Sequence, residues 1–535
     1  MNAGERGRLL LVAAGAFLLY TAGAGGAPVY LDPDEVMFAL QAHSIAATAH
    51  DLDGRFLPLY FHMSLLGQNV WFHPVIVYCM APFLKVLPLT DWTVRLPSAT
   101  VGAINVVLTY FIARRMFAAP RAALLAAALL ALTPAHFIHS RLAMDYLYPV
   151  PFVLGWLLCL LIYFERRDAW ILFAASSLLG LGVYSYIASL IMMPLYLAMT
   201  LAAILREQKT TRPWVTAIAG FAWPLTLLAV WAATHPAFVT ATLERYGQPQ
   251  PIDYLQGFKG LSLAAALEQA RRLLAFSGVT GRISMYWYFF DPAYLFLYGG
   301  YTNVMNSTRH VGVFLAPLLV FVPVGIVAIA TGRRTTLDLI LLAGFLSAPF
   351  AACLVVPEPY AIDRELELLP FGVLIATRGV ERLLAARARV YRAAAIVLLA
   401  LVPLHFAFVL FDYFGDYRIR SAIWFSGNRR GALESIVARA SRERVPAIYL
   451  STRHVPYLDA YWQFYLIKQR RQDLLQRTIY FTEGTLDPSA VPAGSLVLAS
   501  RDDRPLFALA ESRGLRRIEL VPEPDGTPLF AIFQR

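Results

Sequence analysis

The sequence is short of charge, cysteine and acid. Charged residues make up only 15% of the chain, too few to solvate the surface of a soluble protein of 535 residues. The three cysteines, Cys79, Cys159 and Cys353, each sit in an apolar run, with neither the pairing of a disulfide framework nor the spacing of a zinc site. They read as packing thiols. No His or Cys cluster supports a transition metal, and the C-terminal part has no glycine-rich phosphate fingerprint, so no nucleotide is assigned to it. Acids are outnumbered by bases, 35 to 46, for a net charge of +11. The lysines and arginines lie mostly in short runs between apolar segments, a pattern of membrane topology, so no nucleic-acid partner is expected.

What the chain has in abundance is apolar surface. With 58% hydrophobic residues and a mean hydropathy of +0.55, it reads as a polytopic α-helical membrane protein. Requiring about 20 apolar residues per crossing, and an excess of Lys and Arg on the cytoplasmic side, gives eleven expected spans. They are 8–28, 95–114, 121–138, 146–164, 169–185, 187–204, 214–233, 311–330, 336–355, 365–379 and 391–411. The basic connections around Arg114-Arg115, Arg166-Arg167, Arg206, Arg333-Arg334 and Arg382 to Arg392 then all share one side with the N-terminus. Residues 9–22, preceded by Arg6 and Arg8, also read as a signal peptide. Either reading puts residue 34 outside.

Counting residues 73–90 as a span would throw Arg114, Arg115 and Arg121 to the wrong side, so 34–90 is expected to be an external loop whose helices lie along the membrane surface. Within it, Val36, Phe38, Ala39, Ala42, Ile45 and Ala46 recur at near-helical spacing. A second external loop, about 234–310, holds the aromatic run 286–298, which suits either an interfacial belt or a wall for an apolar or sugar ligand. After about residue 412 the spans stop. Short strand-like runs at 447–450, 478–481, 495–498 and 517–520 alternate with helical stretches at 431–443, 458–475 and 505–513, and Asp525-Gly526 reads as a hairpin turn. The expectation is a transmembrane domain over 1–411 and a small external α/β domain over 412–535.

The stretch Tyr30-Leu-Asp-Pro-Asp-Glu35 places three carboxylates where the chain leaves the first span. Asp32 suits a helix N-cap, Pro33 the first helical position, and Glu35 the far corner of a capping box. The other reading makes Asp34 or Glu35 the base of an enzyme working at the outer membrane face. Asp145, close after Arg141 in His139-Ser-Arg-Leu-Ala-Met-Asp145, falls at the same face, and ionisable groups at membrane depth tend to mark function. Arg364, between the ninth and tenth spans, has the planar fork that suits a lipid phosphate, although snorkelling at a helix end explains it equally. His73 and Lys85 are further candidates. Asp32-x-Asp34 looks superficially like the metal pair of nucleotide-sugar transferases, whose substrates are cytoplasmic. A hard cation held by Asp34 and Asp145 stays open.

The Asp34-Glu35 pair, the run Arg95-Leu-Pro-Ser-Ala-Thr-Val-Gly102, His139 to Asp145, and Tyr184-Ser-Tyr-Ile-Ala-Ser189 together resemble integral-membrane glycosyltransferases of the GT-C class. They look most like glycosyltransferase family 39 and the bacterial phospholipid-carrier-dependent glycosyltransferases, which include the aminoarabinose transferases acting on lipid A. The similarity covers most of 8–411 and is strongest over 30–190.

That resemblance implies a polyprenyl-phosphate sugar donor, surface helices in the first external loop, and an acidic base there. By position Asp34 corresponds to that acid, Glu35 completes the acidic pair, and Asp145 is a second catalytic acid. Relatives often carry Lys-Pro-Pro where this chain has His73-Pro74, which leaves Arg141, Lys85, Arg364 or His73 to bind the donor phosphate. The expected function is transfer of one sugar, with inversion, to an envelope acceptor (lipid A, glycan, protein or another lipid) at the periplasmic face of a bacterial inner membrane. Two alternatives are a glycan ligase using a pyrophosphate carrier and a lipid-linked sugar flippase. The flippase calls for acids or broken helices at mid-membrane, whereas the informative charges lie near the outer ends of spans.

Overall fold

The computed structural model describes residues 3–65, 68–208, 210–240, 283–300, 303–355, 359–453, 455–482, 486–503 and 514–535. The chain divides into two compact units, one made of Met1–Ala22, His73–Ile76 and Ser98–Asp412, the other of Gly23–Phe72, Val77–Pro97 and Tyr413–Arg535.

The first unit is helical. Among the described residues six helices, Asp91–Met116, Asp145–Arg166, Ser189–Glu207, Arg212–Thr234, Thr336–Cys353 and Arg389–Arg420, are long and apolar enough to cross a membrane. Pro74–Val86, Pro120–Ala131, Ala169–Gly182 and Leu318–Thr331 are shorter apolar helices. Each of the eleven segments expected to cross contains at least one described helix. Two of them are broken, 121–138 into Pro120–Ala131 and Pro134–His139, and 336–355 into Thr336–Ser347 and Pro349–Val355. Proline explains both breaks, because it lacks the N–H that would continue the ladder yet suits the first position of a new helix.

Helices here approach closely where glycine removes the side chain. A Cβ on Gly325 would strike the Ile375 carbonyl, and one on Gly379 the Phe321 carbonyl, so Leu318–Thr331 and Leu368–Leu384 meet backbone to backbone. Gly180 and Gly220 do the same for Ala169–Gly182 and Arg212–Thr234, a Cβ on either falling 2.5 Å from the facing carbonyl oxygen. In lipid, where apolar surface gains nothing by leaving the tails, such contact is what holds helices together. Pro224 sits inside the Arg212–Thr234 helix. There the Tyr184 hydroxyl enters the ladder, donating to Pro224 O at 2.6 Å and accepting from Leu228 N at 3.0 Å.

In the second unit, the helix Pro33–Thr48 is followed by a hairpin of β1 (Phe61–Leu65) and β2 (Gln68–Phe72), which the sequence reading of surface helices alone did not anticipate. Buried Gln41 ties this region to the helix, donating from Nε2 to His62 O at 3.0 Å and accepting at Oε1 from Leu52 N at 3.2 Å. The C-terminal segment forms a five-stranded mixed sheet in the order β4-β3-β5-β7-β6. β3 (Ile448–Ser451) runs parallel to β4 (Thr478–Phe481) and β5 (Leu496–Ser500), while β7 (Pro528–Gln534) pairs antiparallel with β5 and β6 (Arg516–Pro522). The four strand-like runs read from sequence coincide with β3 to β6, and Gly526, at φ 88°, makes the β6–β7 turn. β7 was not foreseen. The helix expected over 458–475 stops at Lys468, with Arg470 in the left-handed region at φ 55°. The one expected over 505–513 lies outside the described residues.

Replacing Gly325 by Ile should drive the Leu318–Thr331 and Leu368–Leu384 helices apart and destabilise the protein by about 1–3 kcal/mol. Thermal unfolding in detergent reads this as a lowered midpoint. An unchanged midpoint would contradict the backbone contact.

Candidate active site

The acids at 32–35 divide their tasks by the geometry of a helix start. Asp32 caps the Pro33–Thr48 helix, its Oδ1 accepting from Asp34 N at 2.9 Å, and its own N–H donates to Glu35 Oε2 at 2.9 Å. Both halves of the capping box are therefore present, with Pro33 in the first turn. Burial, and then the neighbouring Asp34 charge, hold the Asp32 carboxyl well above the usual range. Asp34 itself stays partly exposed, on a helix start fixed from both sides.

Glu35 faces the other way. It is fully buried and takes two hydrogen bonds from Arg95, Nε to Oε1 at 2.8 Å and Nη2 to Oε2 at 2.9 Å. The Arg95 guanidinium, 1% exposed, also donates to the carbonyls of Ala24 (2.7 Å), Pro28 (2.8 Å) and Tyr30 (2.6 Å). One planar fork thus neutralises Glu35 and gathers the connection that leads to the acids. Arg95 was seen in the sequence only as part of a run opening a span. Its partner lies 60 positions away.

The C-terminal segment completes this environment. The Tyr461 hydroxyl donates to Leu31 O at 2.7 Å, next to the cap. Arg429 lies over the Tyr461 ring, 4.8 Å from its centroid, and contributes positive potential at Asp32. Asp91, 5% exposed, accepts from Arg430 Nη1 and Lys468 Nζ, both at 2.9 Å.

Lys85, expected at the donor phosphate, donates instead to Ala46 O at 2.8 Å, at the C-terminal end of the helix that begins beside Asp34. At ~1.5 Å per residue, that carbonyl is about 18 Å along the helix from Asp34. A cation there satisfies one of the carbonyls that every helix leaves open at its end.

Four of the expected residues belong to the first unit. Arg141 is fully buried, and its Nη1 donates to Leu19 O (3.0 Å), Tyr20 O (3.0 Å) and Ala22 O (2.7 Å), closing the end of the Ala3–Thr21 helix. This is again a cation at a helix C-terminus, with the Phe137 ring centroid 5.2 Å away. Asp145 opens a 3₁₀ turn, Asp145–Leu147, which packs against a second 3₁₀ turn, Ile362–Arg364. His73 approaches the first turn, its Nδ1 4.0 Å from Asp145 Oδ2. Arg364, about one fifth exposed, keeps its Nε 3.7 Å from Asp363 Oδ2, and Asn306 Nδ2 donates to Asp363 Oδ1 at 2.8 Å. Burial raises the Asp363 carboxyl, and the Arg364 charge opposes the shift. This unit therefore brings Asp145, His73 and Arg364 to packed turns and places Arg141 in a helix lock.

Burial pushes the His73 imidazole down to about 4, so at neutral pH it is uncharged and offers a phosphate one N–H and no cation.

Residues 73–233 match the family model described as dolichyl-phosphate-mannose-protein mannosyltransferase. In structure the chain is similar to ArnT from Cupriavidus metallidurans bound to undecaprenyl phosphate, with a TM-score of 0.59 at 12% identity over 98% of each chain. The apo state of the same protein gives 0.57 at 13% identity, over 99% of this chain and 98% of that one. The chain has the GT-C fold. No curated protein matches its sequence. The family model begins at His73, beyond the acids at 32–35, but it includes Arg95, Arg141 and Asp145. Within this GT-C fold the two described clusters, around Asp34 and around Asp145, draw on residues far apart in the chain, which is why spacing alone did not reveal the role of Arg95.

Removing one partner of the buried pair leaves an uncompensated charge, so Arg95→Ala should cost about 3–5 kcal/mol of stability. Pairing Arg95→Met with Glu35→Leu should recover only part of this, because the Ala24, Pro28 and Tyr30 carbonyls still lose their donor. Thermal unfolding of the three proteins checks it, and complete recovery would assign those carbonyl bonds no weight.

For His73, the folded value of about 4 lies below the ordinary 6.5, so between those values the unfolded chain binds a proton that the folded chain refuses. Stability tied to His73 is full above about pH 6.5 and falls as pH drops toward 4. His73→Gln should make this acid-side decline shallower in melting curves recorded from pH 7 to pH 4.

Proposed function

We propose that the chain is a glycosyltransferase that moves one sugar from a polyprenyl-phosphate carrier to an envelope acceptor at the periplasmic face of a bacterial inner membrane. The observation that carries the reading is the division of labour at 32–35. Asp32 is the cap, Glu35 is the Arg95 counter-ion, and Asp34 lies partly exposed in the first turn of the helix that Asp32 caps. The GT-C fold supports it, as does the likeness to an ArnT structure that contains undecaprenyl phosphate, a carrier of the proposed class.

Asp34 acts as the base. Its carboxylate accepts the proton of the acceptor hydroxyl as that oxygen attacks the anomeric carbon in line with the departing lipid phosphate. One displacement inverts the centre. The phosphate is a good leaving group and needs no general acid, so the protein's remaining task is to stabilise developing negative charge. Arg364 takes that role, being the partly exposed guanidinium among the candidates, since Arg141 is fully buried and the His73 ring is neutral. Glu35 is a positioning residue that acts through Arg95, and Asp145 orients the groups at its turn.

Asp34→Asn should fold and enter the membrane while losing roughly 10²–10⁴-fold in sugar transfer from a lipid-phosphate donor, measured as product glycolipid. Near-normal turnover would remove Asp34 as the base. Arg364→Ala should lower kcat/KM by roughly ten- to a hundredfold, the loss expected for a hydrogen bond to a charged group, whereas Lys85→Ala should leave it near wild type.

A further inference from the structure

The first unit carries a groove that none of the chemistry above uses. It encloses about 580 Å³ and is lined on one side by Pro323, Val324 and Val327 of the Leu318–Thr331 helix. Arg382, Arg387 and Tyr391 line the other, from the end of the Leu368–Leu384 helix through the connection to the start of the next. The apolar part lies open, Val327 being 58% exposed. Both arginines are exposed, and among the described residues neither has a carboxylate within salt-bridge distance. One turn earlier on the same helix, Arg378 behaves differently, pairing with Asp338 at 3.2 Å and Glu381 at 3.5 Å. The end of a helix favours one basic residue through its dipole, which accounts for Arg382. It gives no account of Arg387, which lies past the helix end and still lines the groove.

We infer that this groove holds one anionic diacyl phospholipid from the surrounding leaflet, its headgroup phosphate between Arg382 and Arg387 and an acyl chain along Val324 and Val327. The chemistry is complementary at both ends. Guanidinium groups donate paired hydrogen bonds to a phosphodiester, and an apolar channel of this volume is filled by hydrocarbon and not by water. The basic rim also lies in the Arg382 to Arg392 connection, which the charge pattern assigns to the cytoplasmic face, where anionic headgroups attract basic side chains. The inference rests on the multi-pass reading of the chain and is independent of glycosyl transfer.

The test is native mass spectrometry of the full-length protein in detergent, titrated with dioleoylphosphatidylglycerol or dioleoylphosphatidylethanolamine. Saturable binding of one phosphatidylglycerol, preferred over phosphatidylethanolamine, is expected. About fivefold per arginine near a membrane surface makes R382Q/R387Q weaker by on the order of 25-fold. Val327→Trp, which fills the groove and leaves both arginines in place, should abolish binding. Asp34→Asn should bind the lipid normally whatever it does to sugar transfer, which separates failure here from failure of the proposed activity. Equal affinity for the two lipids, or unchanged binding in both groove variants, would overturn the inference. So would displacement of the lipid by soluble glycerophosphoglycerol, which would mark a plain phosphate site, or by polyprenyl phosphate at lower concentration.

Discussion

The pairing of Arg95 with Glu35 is the contact on which the acidic end of this protein depends. Two charges removed from water are costly, and their attraction offsets that cost only when the remaining hydrogen-bonding capacity is satisfied. Here Glu35 takes both guanidinium bonds and the Asp32 N–H, while Arg95 reaches three further carbonyls from the connection 24–30. The result is a backbone held at several points just before the helix that carries Asp34. The base proposed at Asp34 would gain from such pre-organisation, because a carboxylate that need not be ordered during the reaction loses little entropy there. The buried acid Glu35 thus helps to fix the backbone beside Asp34.

A second regularity is the fate of cations at helix ends. Lys85 and Arg141 were both plausible partners for a lipid phosphate, and both are found on C-terminal carbonyls, Lys85 on Ala46 and Arg141 on Leu19, Tyr20 and Ala22. A helix end leaves its last carbonyls without intrahelical donors, and a basic side chain supplies them along with a favourable dipole interaction, whether the end is buried as at Arg141 or exposed as at Lys85. That demand competes with ligand binding for the same side chains. Arg364, on a short 3₁₀ turn and not at the end of a long helix, is less bound by it.

Much of the architecture was legible in the residue order. The eleven apolar segments all contain helices, the capping box at 32–35 forms as its residue types require, and the strand-like runs of the C-terminal segment become β3 to β6. The strands Phe61–Leu65 and Gln68–Phe72 were missed although Phe61-His-Met-Ser-Leu65 alternates apolar and polar residues, because they sit in a region read as surface helices. The last strand, Pro528–Gln534, was missed although it runs through the sheet between β5 and β6, because its apolar run Leu-Phe-Ala-Ile-Phe lacks a two-residue period when buried on both faces.

The sequence by itself determined what depends on neighbours a few residues apart: apolar runs long enough for lipid, prolines that start or break helices, and a cap three residues from its partner. Only the tertiary structure decided which charges are available for chemistry. Arg95 meets Glu35 across 60 positions, Lys85 meets Ala46 across 39, and Arg141 meets Ala22 across 119. At such separations no local pattern records the partner. A buried charge is therefore classified by the fold that surrounds it: of the acids that opened the question, Glu35 is the buried partner of Arg95, while Asp32 and Asp34 lie partly exposed at the helix start.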